Sequence, residues 1–301
     1  MRPVDALTFG FLAFLLIITV IFIKQIPDAY TIIFIYLILI TALSSLIYSK
    51  NKRDSRVLEM TYDLIFPVIA VFLIFDSIGG LIRYINPVTY DHLLIRLDYI
   101  IFKGYPTVIL EKVTTPVITE IMQFAYTSYY LLPIILGVVL KTKGRKTEFN
   151  KGLFLIILCF FLSYVGYILV PAIGPRYTMN HLQSIELKGI FLRNNIDGIL
   201  NTIEGIKRDA FPSGHTAVTL VVLYLAYKFQ KSLFWIFLPF VSALLVSTVY
   251  LRYHYVVDVI GGILLFIFTI YIGDRYYDYW EKRNTSGRKI PSTPSKNAEI
   301  L

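Results

Sequence analysis

Cysteine occurs once in 301 residues, as Cys159 inside an apolar run, so no disulfide closes within the chain and no metal site rests on cysteine pairs. Charge is scarce as well: 16% of the residues are Asp, Glu, Lys or Arg against 56% apolar, and the mean hydropathy is +0.65. Apolar residues in that proportion, gathered into long uninterrupted runs, exclude a soluble enzyme. Glycine and proline, at 17 and 13, are too few for a fibrous or low-complexity chain. The runs lack strict polar alternation and are about twice the length of a barrel strand, which argues against a closed β-barrel. An all-α integral membrane protein remains.

Runs long enough to cross about 30 Å of hydrocarbon predict eight transmembrane helices, near 6–23, 29–48, 61–81, 116–140, 152–172, 211–227, 232–251 and 255–273. No small-x-small cleavage pattern follows the first run, which reads as a retained helix. With eight spans both termini share one face, and 18 of the 29 Lys and Arg residues fall on it, many of them in SKNKRDSR and KTKGRKTEFNK. The positive-inside rule then puts both termini in the cytoplasm and the loops 82–115, 173–210 and 252–254 on the outer or lumenal face. The net charge of +9 belongs to these membrane loops, so nucleic acid is not an expected partner. Residues 281–301 are polar without apolar periodicity and read as a disordered cytoplasmic tail.

All four histidines, His92, His181, His215 and His254, fall outward of the spans or at their outer ends. In FPSGHTAVTL, Pro212, Ser213 and Gly214 open the sixth span just before His215. A helix N-terminus offers unpaired N–H groups and a positive dipole end to an oxyanion, although PSGH alone also suits a plain helix start. In YLRYHYVVDVIGG, His254 and Asp258 stand four apart. On one helix face the carboxylate can accept from one imidazole nitrogen, fixing the tautomer and leaving the other nitrogen as nucleophile or base. Asp258 also lies in the first turn of a span, where a carboxylate is costly without a partner. Arg176 in PAIGPRYTM and Arg252 join the same face, with Lys207 and Arg208 near the sixth span. A positive pocket with two histidines and a carboxylate at headgroup depth is what phosphoryl transfer from a lipid phosphate requires. Glu120, Gln123, Thr127 and Tyr130 recur on one face of the fourth span, and Glu120 is expected to line a polar route.

PSGH and the HxxxD of HYVVD, some 40 residues apart in consecutive spans, resemble the second and third signature motifs of the type 2 phosphatidic acid phosphatase superfamily. GPRY and EIMQFAYTSYYLLP resemble its inositol phosphorylceramide synthase branch, and the likeness covers about residues 61–275. The resemblance implies a six-helix core within residues 60–280, with residues 1–59 adding two further helices. It implies that His254 attacks phosphorus to give a phosphohistidine, Asp258 orients it, and His215 protonates the leaving oxygen. Arg176 and the amides around Ser213 and Gly214 would hold the phosphate oxygens, with no metal or other cofactor needed. The substrate would be a membrane lipid or polyprenyl phosphate, and the acceptor water or an alcohol, the latter giving a headgroup transferase. Where the family has Lys, Pro and Arg, this chain has Leu169, Tyr177 and Thr248. Arg252 and Arg208 are therefore expected to supply phosphate-binding charge. A lipid transporter or scramblase, with His254 and Asp258 relaying protons, is the alternative of another class, but no internal repeat supports it. Nothing in the sequence bears on oligomeric state.

Overall fold

Backbone surrounded by hydrocarbon has no water to bond, so each spanning segment must close its own hydrogen-bond ladder. In the computed structural model, which describes residues 1–191 and 208–286, the apolar runs accordingly form helices. These are α1 (Pro3–Ile21), α2 (Ala29–Lys52), α3 (Arg56–Ile85), a short α4 (Asp91–Phe102), α5 (Pro116–Thr142), α6 (Lys146–Leu169), α7 (Gly214–Phe229), α8 (Lys231–Tyr250) and α9 (Val256–Ser286). A π-turn at Thr61–Ile65 interrupts α3 and a 3-10 turn at Ser128–Tyr130 interrupts α5. Among the described residues, seven helices, α1, α2, α3, α5, α6, α8 and α9, are long and apolar enough to cross a membrane. The chain is an all-α, multi-pass integral membrane protein.

The sixth expected span, α7, is the exception in length. Its 16 residues rise only about 24 Å. It needs no more, because α6, α8 and α9 pack round it and bury Val218, Val221, Val222, Leu225 and Ala226 completely. Irregular backbone below the membrane surface is tolerated when protein encloses it. Residues 208–210 meet that condition by pairing with Ala172, whose carbonyl accepts from Ala210 at 2.9 Å. Gly262 of α9 permits a close approach: a Cβ there would stand 2.6 Å from the Ser213 carbonyl.

Two expectations change. The loop 82–115 contains α4, which is too short to span and keeps Leu93, Leu97, Ile100 and Ile101 exposed while burying Asp91, Leu94 and Asp98. The first six residues of the tail expected from residue 281 are helical, since α9 continues to Ser286. Salt bridges from Lys151 to Asp274 and Asp278 hold the turns of α9 just before it against α6. Residues 287–301 and Lys207 lie outside the described residues.

Candidate active site

The turn from α8 to α9 decides where His254 points. Helix α8 ends in a Schellman arrangement: Tyr253 N–H donates to the Thr248 carbonyl at 3.0 Å and Arg252 N–H to the Val249 carbonyl at 3.0 Å. The left-handed position at its end, usually glycine, is Arg252, with φ of 65°. His254 N–H also donates to the Thr248 carbonyl at 3.0 Å. His254 is thus delivered as a buried side chain, 4% exposed.

Its Nδ1 lies 2.8 Å from the Ala210 carbonyl and 3.4 Å from Asp258 Oδ2. A carbonyl can only accept, so Nδ1 carries the proton and Nε2 keeps its lone pair. The sequence reading gave that task to Asp258; the structure gives the shorter contact to Ala210, with Asp258 as a nearby charge. Asp258 Oδ2 accepts instead from Tyr255 N–H at 2.8 Å. His254 and His215 rings lie 5.7 Å apart at 62°. Tyr126 stacks on His215 at 4.6 Å and on Tyr253 at 4.5 Å, while Tyr129 packs against His215 at 4.2 Å.

His254, His215, Arg176, Tyr253 and Asp209 line the same end of a cavity of about 200 Å³. Arg176 is positioned by its own N–H, which donates to the Arg252 carbonyl at 2.8 Å, and its Nη1 donates to Tyr253 Oη at 3.2 Å. An imidazole with a free lone pair, a second imidazole and a guanidinium at one cavity end can hold a tetrahedral oxyanion and exchange protons with it.

The other expected phosphate ligands are not brought to this cavity. Arg252 is turned away: its Nη2 donates to Glu111 Oε1 at 2.8 Å and to the Ile185 carbonyl at 2.6 Å. A buried guanidinium goes where a carboxylate and a carbonyl meet it, which here is away from the cavity. Arg208 Nη1 donates to the Pro87 carbonyl at 2.9 Å, tying the 208–213 loop to the end of α3. The amides at the α7 N-terminus are also engaged within the protein. Ser213 N–H donates to the Asp258 carbonyl at 3.0 Å, and the Tyr167 hydroxyl packs against Gly214 where a Cβ would stand. Ser213 Oγ caps α7 by accepting from Thr216 N–H at 3.3 Å. Glu120 does not line the cavity; it accepts from Ile190 N–H at 3.0 Å.

Sequence reasoning missed three buried carboxylates in residues 91–111. Asp91 accepts from the N–H groups of Ile173 and Gly174 at 3.0 and 2.9 Å and from Tyr255 Oη at 2.9 Å. Asp98 accepts from Val256 and Val257 N–H at 3.0 and 2.9 Å, capping α9 from another helix. Glu111 accepts from Ser184 N–H and Oγ as well as from Arg252. Together they clamp the backbone on both sides of Arg176 and His254. The only sequence signal was acidic residues spaced along a short amphipathic stretch, which a solvated helix face would equally show.

Burial pushes the Asp98 carboxyl above its ordinary value despite the two amides that favour its charge. Burial also acts to raise Glu111, but Ser184, the Ile185 amide and the Arg252 charge outweigh it and hold it below 4.5. A depressed carboxyl stabilises the fold above its unfolded value and loses that contribution as pH falls through the native one. The contribution of Glu111 to thermal stability in detergent should accordingly be lost on acidification below about pH 4.5, and Glu111→Gln should remove that part of the acid dependence; an acid limb unchanged by the substitution would contradict it. Asp98→Ala orphans two buried amides and should cost about 1–3 kcal/mol for each, read as lowered thermal stability, with Asp98→Asn milder.

A search of curated proteins finds a PA-phosphatase related-family protein of Dictyostelium discoideum, 27% identical over 185 residues. That match covers 52% of this chain but spans about a third (32%) of the relative. No solved structure matches. The PAP2 superfamily matches residues 92–272, a stretch that begins on α4 just after Asp91, takes in Asp98 and Glu111 and ends in α9 beyond Asp258. With more than half of the chain matched, and the two histidines placed together at one cavity end, this protein belongs to the PAP2 superfamily.

Proposed function

We propose that the protein is a membrane phosphatase or phosphotransferase that acts on a lipid phosphate through a phosphohistidine at His254. The observation that carries this reading is the proton fixed on Nδ1 by the Ala210 carbonyl, which leaves Nε2 as the nucleophile beside His215 and Arg176. Nε2 attacks phosphorus while the ester oxygen leaves with a proton from the His215 imidazolium. Neutral His215 then takes a proton from water or an alcohol, whose oxygen attacks phosphorus and frees His254. Asp258 balances the positive charge on His254, and Arg176 holds the non-bridging oxygens. No step in this scheme calls on a metal. Residues 60–280 would form the catalytic unit, with α1 and α2 added to it.

Phosphate release in detergent from a panel of lipid phosphates tests the reading. A phosphoenzyme trapped on His254 should survive alkali and be lost in acid. Release matched by His254→Ala would sink the assignment, and transfer to added alcohols would distinguish the transferase branch.

The distribution of cations supports a site on the outer or lumenal face with both termini cytoplasmic. Ile190 is 63% exposed on the site's side, and Cys159 is buried. A cysteine placed at Ile190→Cys should therefore react with an impermeant reagent from the outer side. Labelling only from the cytoplasm would reverse the topology.

A further inference from the structure

The cavity that holds His254 does not end near it. It continues between α3, α5 and α6 past Tyr130, Phe160, Leu153 and Gly137 to Phe149 and Asp63. From Tyr167 to Phe149 along α6 is 18 residues, or about 27 Å of helix. One leaflet of hydrocarbon is about 15 Å deep, half of the roughly 30 Å core. The cavity is therefore nearly two leaflets long. Spread over that length, the about 200 Å³ open to the centre of a water-sized sphere makes a channel roughly 6 Å wide once the sphere's own radius is added, enough for one extended chain and too narrow for two abreast.

The far end is closed by charge. The π-turn sets Asp63, 4% exposed, at the floor of the cavity. Arg2 Nη1 reaches Asp63 Oδ1 at 2.7 Å, Lys50 Nζ reaches it at 3.5 Å, and Lys141 pairs with Oδ2. Tyr62 beside it donates to Asp5 and carries the Arg2 guanidinium over its ring at 3.8 Å. An apolar chain end cannot displace this network without stranding buried charge, so the network sets a maximum depth.

Resting on the phosphatase reading above, we propose that this cavity is a chain-measuring site and that the substrate is a lipid phosphate with one apolar chain reaching deeper than a single leaflet. The phosphate sits at His254, His215 and Arg176, and the chain runs along α6 toward Asp63. Two-chain glycerolipid phosphates fit this shape poorly, because their second chain has no place beside the first. The bilayer is as apolar as the cavity, so the selection comes from filling space and not from leaving water. A short chain leaves voids below it, and an overlong chain meets the ion network.

The test is phosphate release by the full-length protein in detergent from alkyl monophosphates of increasing length, with dioleoyl phosphatidate for comparison. kcat/KM should rise by about tenfold or more from chains of one-leaflet length to chains that fill the cavity, as expected for eliminating a lined void, and then fall. Ile134→Trp and Gly137→Leu, both facing the cavity, should each shift the optimum to shorter chains. Release that is independent of length, or faster from dioleoyl phosphatidate, would overturn the inference while leaving the phosphatase reading intact. No release from any of these compounds would sink both. Because the length series is measured on the native chain, a variant that fails to fold does not remove the test.

Discussion

His254→Ala is expected to lower turnover by about three orders of magnitude or more, with the protein still folded in detergent. The side chain makes polar contacts to Ala210 and Asp258 and an edge contact to the His215 ring, and its removal leaves a small buried gap. Asp258→Asn tests a finer point. If Asp258 fixed the tautomer, the amide could turn its NH₂ toward Nδ1 and force the proton onto Nε2, costing about 10⁴-fold. With the Ala210 carbonyl 2.8 Å from Nδ1, the tautomer survives the change and only the charge is lost. A loss nearer 10²-fold is then expected, in the range of a removed electrostatic contact. Phosphate release by wild type, His254→Ala and Asp258→Asn at matched folded concentration checks both values. Wild-type turnover by His254→Ala would exclude it as nucleophile, and equal losses for the two variants would return the tautomer to Asp258.

The second large effect concerns stability. Arg252→Ala should destabilise the protein by about 3–5 kcal/mol, the usual cost of leaving one member of a buried ion pair alone. Both partners are buried, at 8% and 7% side-chain exposure, and the pair links the α8–α9 turn to the segment before α5. Arg252→Gly makes the contrast sharper. Glycine relieves the left-handed backbone, a gain of about 1 kcal/mol, yet strands Glu111 just as alanine does. It should therefore remain clearly destabilised. Arg252→Lys keeps the charge but reaches one acceptor where the guanidinium reaches two, and should fall between. Thermal unfolding in detergent across these variants and the Glu111→Leu, Arg252→Met double variant would decide it. If the single substitutions instead left stability unchanged and reduced only kcat/KM, Arg252 would be a phosphate ligand after all.

The apolar runs determined nearly all of the bundle, because a spanning helix satisfies its backbone within itself and needs only length and composition to be recognised. His215, His254 and Asp258 were legible for a related reason, since each motif is a short run at the end of a span. Helix α4 was not, being 12 residues long and half exposed, with no period that separates it from a loop. The fate of the cations was not legible either. Arg176 and Arg252 look equivalent in sequence, both arginines beside a motif on one face. Only the tertiary structure sends one to the cavity and the other to Glu111, 141 residues away. The same holds for the Ala210 carbonyl on His254, 44 residues distant, and for Asp98 on the α9 amides, 158 residues distant. Local pattern reports what a segment must do to sit in a membrane. Which buried donor meets which acceptor depends on how several such segments pack, because desolvated charges and amides take whatever partner the packing leaves within reach.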